Sequence, residues 1–399
     1  MPKHLKQSRC RVAVIWIDWY PYHVARFRGL QSAPSLSDGV VGIELVGGVG
    51  VHKGLKFRED LPADLPIETL MPNTSWGDAD KLALSRMLWK RLSELDPEVV
   101  LVPGYYTLPA VVAAVWARAH RRRSVLMTES TAADHKRSWW KELPKRLALR
   151  TLFSWAVTGG RAHVAYLRHL GFRADRIVGC YDVVDNEMFR AGVSALRSGS
   201  VAHPAPSPYF LYVGRLAAEK NIAGLLASWV QYRERGGTWP LVLCGDGPER
   251  AVLQAAAAAT PHAADVYFPG LKSSRELLPF YAGAGCFVLP STREPWGLVV
   301  NEAMASGLPV LVSNRCGCAL DVVAEGRNGF TFDPAAPQEL TRLLLAMDAL
   351  SPGERSRMGE SSAEIIARFT PHGFGEAIAS LTPVALDRAE RESLAEVAS

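Results

Sequence analysis

The stretch EPWGLVVNEAMASGLP (294–309) sets two carboxylates eight positions apart, Glu294 and Glu302, on either side of a glycine. The apolar run FVLP (287–290) ahead of it predicts a buried strand. LVVNEAMAS then predicts one short helix, stopped by Gly307 and Pro309. A helix that starts at Gly297 and Leu298 presents unpaired backbone N–H groups and the positive end of its dipole, a place for phosphate. Glu294 lies just before that helix and Glu302 on its second turn. A carboxylate repels phosphate, so the pair should grip something neutral, most simply sugar hydroxyls. Phosphate between two hydroxyl-bearing groups is the layout of a nucleotide sugar.

Outward from this segment the chain alternates short β-branched runs with longer helical stretches, the pattern of an α/β protein with parallel sheets. In the first half the strand candidates are 11–17, 40–46, 98–102, 124–128, 155–158 and 177–180. Helical stretches lie near 79–93, 107–120, 136–152 and 161–170. The Ser-, Pro- and Ala-rich segment SGSVAHPAPSP (198–208) reads as a linker. The alternation then restarts, with strands at 209–213, 241–244, 265–268, 286–290, 309–313 and 330–332. Helices are expected near 219–234, 248–258, 274–283, 298–306, 318–325 and 336–349. The expectation is two doubly wound Rossmann-like domains, 1–200 and 208–370, facing a cleft. A helical segment at 371–399 could pack back on the first domain.

Three more turns of the second half point to the same sheet edge. YVGRLAAEKNI (212–222) ends a strand at Gly214 and opens a helix near Glu219. Arg215 and Lys220 flank that turn and could clamp a diphosphate as a leaving group. Basic residues at a helix start oppose its dipole, which favours an anionic partner over a merely solvated helix end. LCGDGPER (243–250) is a second strand-to-helix turn. FPGLKSSREL (268–277) adds a loop whose backbone at Gly270 and Leu271 could reach a nucleobase edge. Ligands of open α/β sheets bind at this carboxyl edge.

Bulk properties narrow the class. With 399 residues, about half of them apolar, the chain can bury two cores. Six cysteines occur singly except for Cys316 and Cys318, a spacing too tight for a zinc knuckle, so reduced thiols of a cytoplasmic protein are expected. No apolar run reaches the roughly 18–20 residues that span a bilayer, and the N-terminus reads as a first strand rather than a signal peptide. Residues 1–200 hold 29 basic and 19 acidic residues, a balance of +10, against 16 and 21, or −5, in the rest. The basic half suits an anionic membrane surface, a nucleic acid or an anionic acceptor. In 135–150, Trp139 and Trp140 stand among many cations, a composition that suits the inner face of a membrane. A solvated basic helix is the alternative.

VGRLAAEKN, GDGPE, the long run 268–314 and the later EGRNGFTFDP together resemble the C-terminal domain of family 4 glycosyltransferases of the GT-B fold, over 209–345. The resemblance implies a retaining, metal-independent transfer of a sugar from a nucleotide-diphosphate sugar, most usually a UDP- or GDP-sugar. The acceptor would be a hydroxyl on a glycan, a glycolipid or a natural product, with no separate cofactor. It implies that Arg215 and Lys220 bind the diphosphate with the Gly297 and Leu298 amides. Glu302 would take the ribose hydroxyls and Glu294 the transferred sugar. Gly214, Leu271 and Trp296 complete the expected donor contacts. The N-terminal half matches more loosely. IDWYPYHVARF (17–27) replaces the Gly-rich loop that members often carry, placing Asp18, Tyr22 and His23 there. Glu129 stands where many members have a histidine. Glu129 and His23 are the candidates to take over catalytic contacts, each with a structural role as the competing reading.

Other classes fit less well. An epimerase on the same scaffold is the runner-up, but the VGRLAAEKN clamp argues against it. No G-x-G-x-x-G follows the first strand, which disfavours a dinucleotide oxidoreductase. The basic half lacks a recognition motif for nucleic acid.

Overall fold

The computed structural model describes residues 10–48, 64–132, 139–199 and 205–382. The first domain runs β1 (Val12–Trp16), α1 (Pro21–Ser32), β2 (Val40–Val46), β3 (Ile67–Met71), α2 (Lys81–Leu95), β4 (Val99–Pro103) and α3 (Leu108–Ala119). It continues through β5 (Arg123–Met127), α4 (Trp139–Leu152), β6 (Trp155–Val157), α5 (Arg161–His169) and β7 (Ile177–Val178), after which α6 (Asn186–Ser198) crosses over and packs Phe189 and Val193 into the core of the second domain. The second begins β8 (Tyr209–Val213), α7 (Ile222–Glu234), β9 (Leu241–Cys244), α8 (Arg250–Ala258), β10 (Val266–Gly270), α9 (Leu278–Gly283) and β11 (Ala284–Leu289). It ends α10 (Leu298–Ala305), β12 (Val310–Ser313), α11 (Ala319–Val322), β13 (Gly329–Phe332), α12 (Pro337–Asp348) and α13 (Pro352–Ile366), followed by α14 (Pro371–Ala379).

The first sheet has the order β3-β2-β1-β4-β5-β6-β7 and the second β10-β9-β8-β11-β12-β13. Every pairing is parallel. Helices cover both faces, so central strands such as VAVIW and YFLYV are buried at every residue, which is why they read as continuous apolar runs. The strand order reverses beside β1 in one sheet and beside β8 in the other. Crevices open at such points, and here they open at the loops after β1 and β4 and after β8 and β11.

The chain crosses back at its end. Asn186 Nδ2 donates to the Ile366 and Phe369 carbonyls, at 3.2 and 3.0 Å, holding the crossing between α13 and α14. α14 then lies on α1 of the first domain so closely that a Cβ on Gly375 would come within 1.9 Å of the Gly29 carbonyl oxygen. Only glycine permits that approach.

Three elements differ from the sequence expectations. α1 is a helix where the sequence pattern indicates none, because His23 and Arg26 are buried alongside Val24, Ala25, Phe27 and Leu30 and break the apolar periodicity. β3 is a half-exposed edge strand containing Glu68 and Thr69. α6 carried a readable signal, an Asp185 cap accepting from Met188 N–H at 3.0 Å and Phe189 and Val193 one turn apart. Two helices are also shorter than expected: α7 begins at Ile222, after a 3-10 turn at Ala218–Lys220, and α11 spans only Ala319–Val322. Within the linker, 200–204 lie outside the described residues, as do 383–399.

Candidate functional site

Three loops at the carboxyl edge of the second sheet are laced together by their backbones. Gly214 N–H donates to the Cys244 carbonyl, Leu216 N–H to Asp246 and Gly245 N–H to Gly270, each at 2.9 Å. The lacing leaves no room for side chains at its centre, since a Cβ on Gly245 would lie 1.8 Å from the Gly214 oxygen. The glycines of the two turns thus bring bare backbone to the crevice. Leu271, 42 % exposed, follows the third loop.

Arg215 is exposed, its carbonyl held by the Tyr212 hydroxyl at 2.9 Å. Among the described residues its guanidinium has no acidic partner. Thr292 N–H donates to the Glu219 carbonyl at 2.9 Å, tying the β8 loop to the β11 loop. That tie brings Lys220 Nζ onto Glu294, whose carboxylate also accepts from Ser291 Oγ at 3.3 Å. Lys220 and Glu294 are 19 % and 11 % exposed, so the pair is held at the wall of the crevice. An ammonium has three donors, so Lys220 can keep Glu294 and still meet a phosphate.

Gly297 starts α10 with φ +105°, turning the chain so that the first amides of the helix open on the crevice beside Leu298. Gly297→Ala should cost about 1–2 kcal/mol for that backbone conformation. It also pushes a Cβ to 2.9 Å from Leu289 Cδ2. Thermal denaturation with and without a nucleotide should show a lower melting temperature and weaker ligand stabilisation.

Glu302, one turn into α10, accepts from the Tyr281 hydroxyl at 2.8 Å. Burial pushes its carboxyl up to about 7, partly offset by that hydrogen bond. Trp296 departs from the expectation of a donor contact. It is 1 % exposed, and its Nε1 donates to Asn301 Oδ1 at 3.0 Å. Its ring fills the seam against Gly159 and Gly160 of the first domain, where any Cβ would strike it. It positions the loop instead of meeting a ligand.

Across the crevice, the first domain contributes a cavity of about 300 Å³ bounded by Trp16, Asp18, His23, Tyr106 and Glu129, with Pro295 of the second domain at its rim. His23 stacks on Trp16 at 4.5 Å, and its Nδ1 lies 3.3 Å from Tyr20 N, where it caps α1. Tyr22 stands beside it, its ring edge against His23. Sequence reading missed what lies behind Glu129. Arg26 is fully buried, with Nη2 3.1 Å from Asp182 Oδ1 and 3.7 Å from Glu129 Oε1. Its guanidinium lies 3.9 Å from the centre of the Tyr181 ring. Burial would lower its pKa, but Tyr181, Asp182 and Glu129 raise it overall. Burial and the Glu129 charge push Asp182 up, against the pull of Arg26.

The two faces are joined by groups that the sequence did not single out. Asn301 Nδ2 of α10 donates to the Asp182 carbonyl at 2.9 Å. His163 accepts Gly160 N–H on Nδ1 at 3.3 Å, which leaves Nε2 protonated and donating to the Pro295 carbonyl at 2.9 Å. Asp321 receives the Arg161 N–H at 3.0 Å, capping α5 from the other domain. Glu129, Lys220, Glu294 and the start of α10 therefore belong to one braced crevice.

Residues 197–364 match the family model of Glycosyl transferases group 1. The matched segment holds the Arg215, Lys220, Glu294, Gly297 and Glu302 positions. A GDP-mannose-dependent alpha-mannosyltransferase of Mycobacterium tuberculosis is 33 % identical over 191 residues, covering 42 % of this chain and 47 % of that protein. A sulfoquinovosyl transferase of Arabidopsis thaliana is 36 % identical over 130 residues, covering 32 % of this chain and 24 % of that protein. The chain thus spans about half the length or less of these curated relatives. Among solved structures, HepE of Anabaena in complex with UDP and glucose superposes with a TM-score of 0.70 at 18 % identity, covering 93 % of this chain and 98 % of that one. Trehalose-6-phosphate from E. coli bound with UDP-2-fluoro glucose, as that structure is described, gives 0.70 at 13 %, over 93 % and 98 %. The fold is therefore the GT-B architecture, two Rossmann-like domains around a cleft.

Proposed function

We propose that the protein is a retaining glycosyltransferase that moves a hexosyl group from a nucleotide-diphosphate sugar to a hydroxyl acceptor, without a metal. One observation carries this reading: the Lys220–Glu294 pair stands at the open N-terminus of α10, with Arg215, which has no acidic partner among the described residues, on the adjoining loop. The mannosyl-transferring relative and the UDP-bound neighbours support a nucleotide-sugar donor. They give no support to an epimerase.

In this reading the diphosphate lies on the α10 amides between Arg215 and Lys220, and Glu302 accepts the ribose hydroxyls. Leu271 and Gly270 border the base, and Gly214 lets the backbone approach the phosphates. Glu294 accepts from hydroxyls of the transferred sugar, turned by Lys220. The bond from the anomeric carbon to the β-phosphate oxygen breaks, and its electron pair stays on the phosphate. The acceptor oxygen bonds on the same face, giving its proton to a phosphate oxygen. The cations and helix dipole stabilise the departing charge, the task a metal serves elsewhere. Glu129 faces the cavity where the acceptor enters. A transfer assay with analysis of the product's anomeric configuration tests this: retention is expected, and inversion or a sugar trapped on Glu129 or Asp18 contradicts it.

The raised Glu302 carboxyl gives a pH signature. Its neutral form favours the empty fold, a contribution lost as pH rises through about 7. Ribose hydroxyls need the ionised form. Affinity for a nucleotide sugar, whose doubly esterified diphosphate keeps its charge, should therefore fall up to about tenfold per pH unit below 7. Glu302→Gln should bind more weakly and with a flat pH profile, as calorimetry across that range can show.

An anionic membrane surface reached through 135–150 completes the proposal. Residues 135–138 lie outside the described residues, while α4 holds the rest of that stretch. Among the described residues no helix is long and apolar enough to cross a membrane.

A further inference from the structure

At the opposite edge of the first sheet, far from the cleft, Arg118, Arg121, Arg122, Arg123 and Arg150 line a cavity of about 360 Å³ floored by buried Phe153. The topology gathers them. Arg118 ends α3, Arg121 to Arg123 lead into β5, and Arg150 closes α4 just before β6. β5 has five residues, so at about 3.3 Å each the cavity lies on the order of 17 Å from the loops that bear Glu129. Among the described residues no carboxylate lines it. Arg122 pairs with Asp96, and Arg123 donates to the Leu381 carbonyl at 2.7 Å. Arg118, Arg121 and Arg150 are exposed and have no acidic partner among the described residues. Like charges brought to one cavity repel unless an anion sits between them. Guanidinium forks match phosphate oxygens bidentately.

The neighbouring helix says which anion. Leu143 and Leu147 on α4 are 61 % and 69 % exposed. At 100° per residue they fall with Arg150 within about 60° on one face of the helix. Two bare leucines in line with a cluster of arginines match a lipid: phosphate for the cations, acyl chains for the leucines. We propose that this arginine cavity and the Leu143–Leu147 face of α4 form a docking site for the phosphate headgroups of an anionic bilayer. It rests on the membrane part of the proposed function and is independent of sugar transfer, because the cavity stands apart from the cleft.

The test uses the full chain and vesicle flotation, with no turnover. Wild type should float with phosphatidylglycerol-containing vesicles, not with phosphatidylcholine alone, and less so as salt rises. Each cation near the surface contributes roughly fivefold, so Arg118→Gln/Arg121→Gln/Arg150→Gln should bind about 100-fold more weakly. Leu143→Ser/Leu147→Ser should also lose binding. All these side chains are exposed, so melting temperatures and nucleotide stabilisation should stay as in wild type, which keeps a folding defect or a lost donor site distinguishable. Inorganic pyrophosphate is the soluble probe. If it stabilises wild type more than the triple variant while neither floats, the cavity serves a soluble phosphate ester and the membrane proposal is overturned. Equal flotation of wild type and variants, equal flotation with neutral vesicles, or no response to either probe overturns it as well.

Discussion

Arg215→Ala and Lys220→Ala are each expected to lower turnover by about 100-fold or more, the usual cost of removing one preorganised charge stabiliser. The two differ in how they fail. Arg215 is exposed and unpartnered among the described residues, so its removal leaves the empty crevice unchanged. The loss should fall on kcat, since charge on the leaving phosphate is greatest in the transition state. Lys220 is also the partner of Glu294, a carboxylate only 11 % exposed. Without the ammonium that carboxylate faces the diphosphate uncompensated, so Lys220→Ala should weaken nucleotide binding too. Steady-state kinetics with a direct binding measurement separates the two patterns. Near-wild-type turnover in both variants removes the clamp from the mechanism.

Arg26→Met should destabilise the fold by about 3–5 kcal/mol at neutral pH, the cost of stripping the partner from a buried ion pair. The change leaves Asp182, fully buried, without its cation and beside the Glu129 carboxylate. Burial already pushes the Asp182 carboxyl upward. A raised folded pKa favours the fold at low pH and is lost as pH rises. The deficit should therefore shrink as pH falls and Asp182 takes up a proton. Denaturant unfolding of wild type and variant at acidic and neutral pH measures this. A deficit independent of pH contradicts the assignment of the charge to Asp182. The same variant should lose activity in excess of its stability loss, because Arg26 also faces Glu129 at 3.7 Å.

The second domain was legible because its chemistry is local in sequence. The turn glycines, the Arg215–Lys220 loop and the Glu294–Glu302 helix each lie on one strand-to-helix connection. A parallel sheet brings such connections to one edge whatever the details. The first domain was less legible because its site is built from distant residues. Arg26, Glu129 and Asp182 come from three connections, and nothing in the 17–27 stretch signals that an arginine turns inward. A buried cation at an apolar position hid the helical period of α1 for the same reason. Trp296 shows the opposite error. The family resemblance implied a donor contact there, while the tertiary structure uses the ring to close the seam against Gly159 and Gly160. The interdomain bonds of His163, Asn301 and Asp321 carried no local signal at all.

Thermal stabilisation by a panel of nucleotide diphosphates and their sugars, with EDTA present, tests the donor site most directly. One nucleotide at 100 times its dissociation constant should stabilise the wild-type protein by about 2.7 kcal/mol. The shift should be reduced in Lys220→Ala and Glu302→Gln. Absence of a shift with every nucleotide, or a shift that needs a divalent cation and is unchanged in both variants, would contradict the donor site described above.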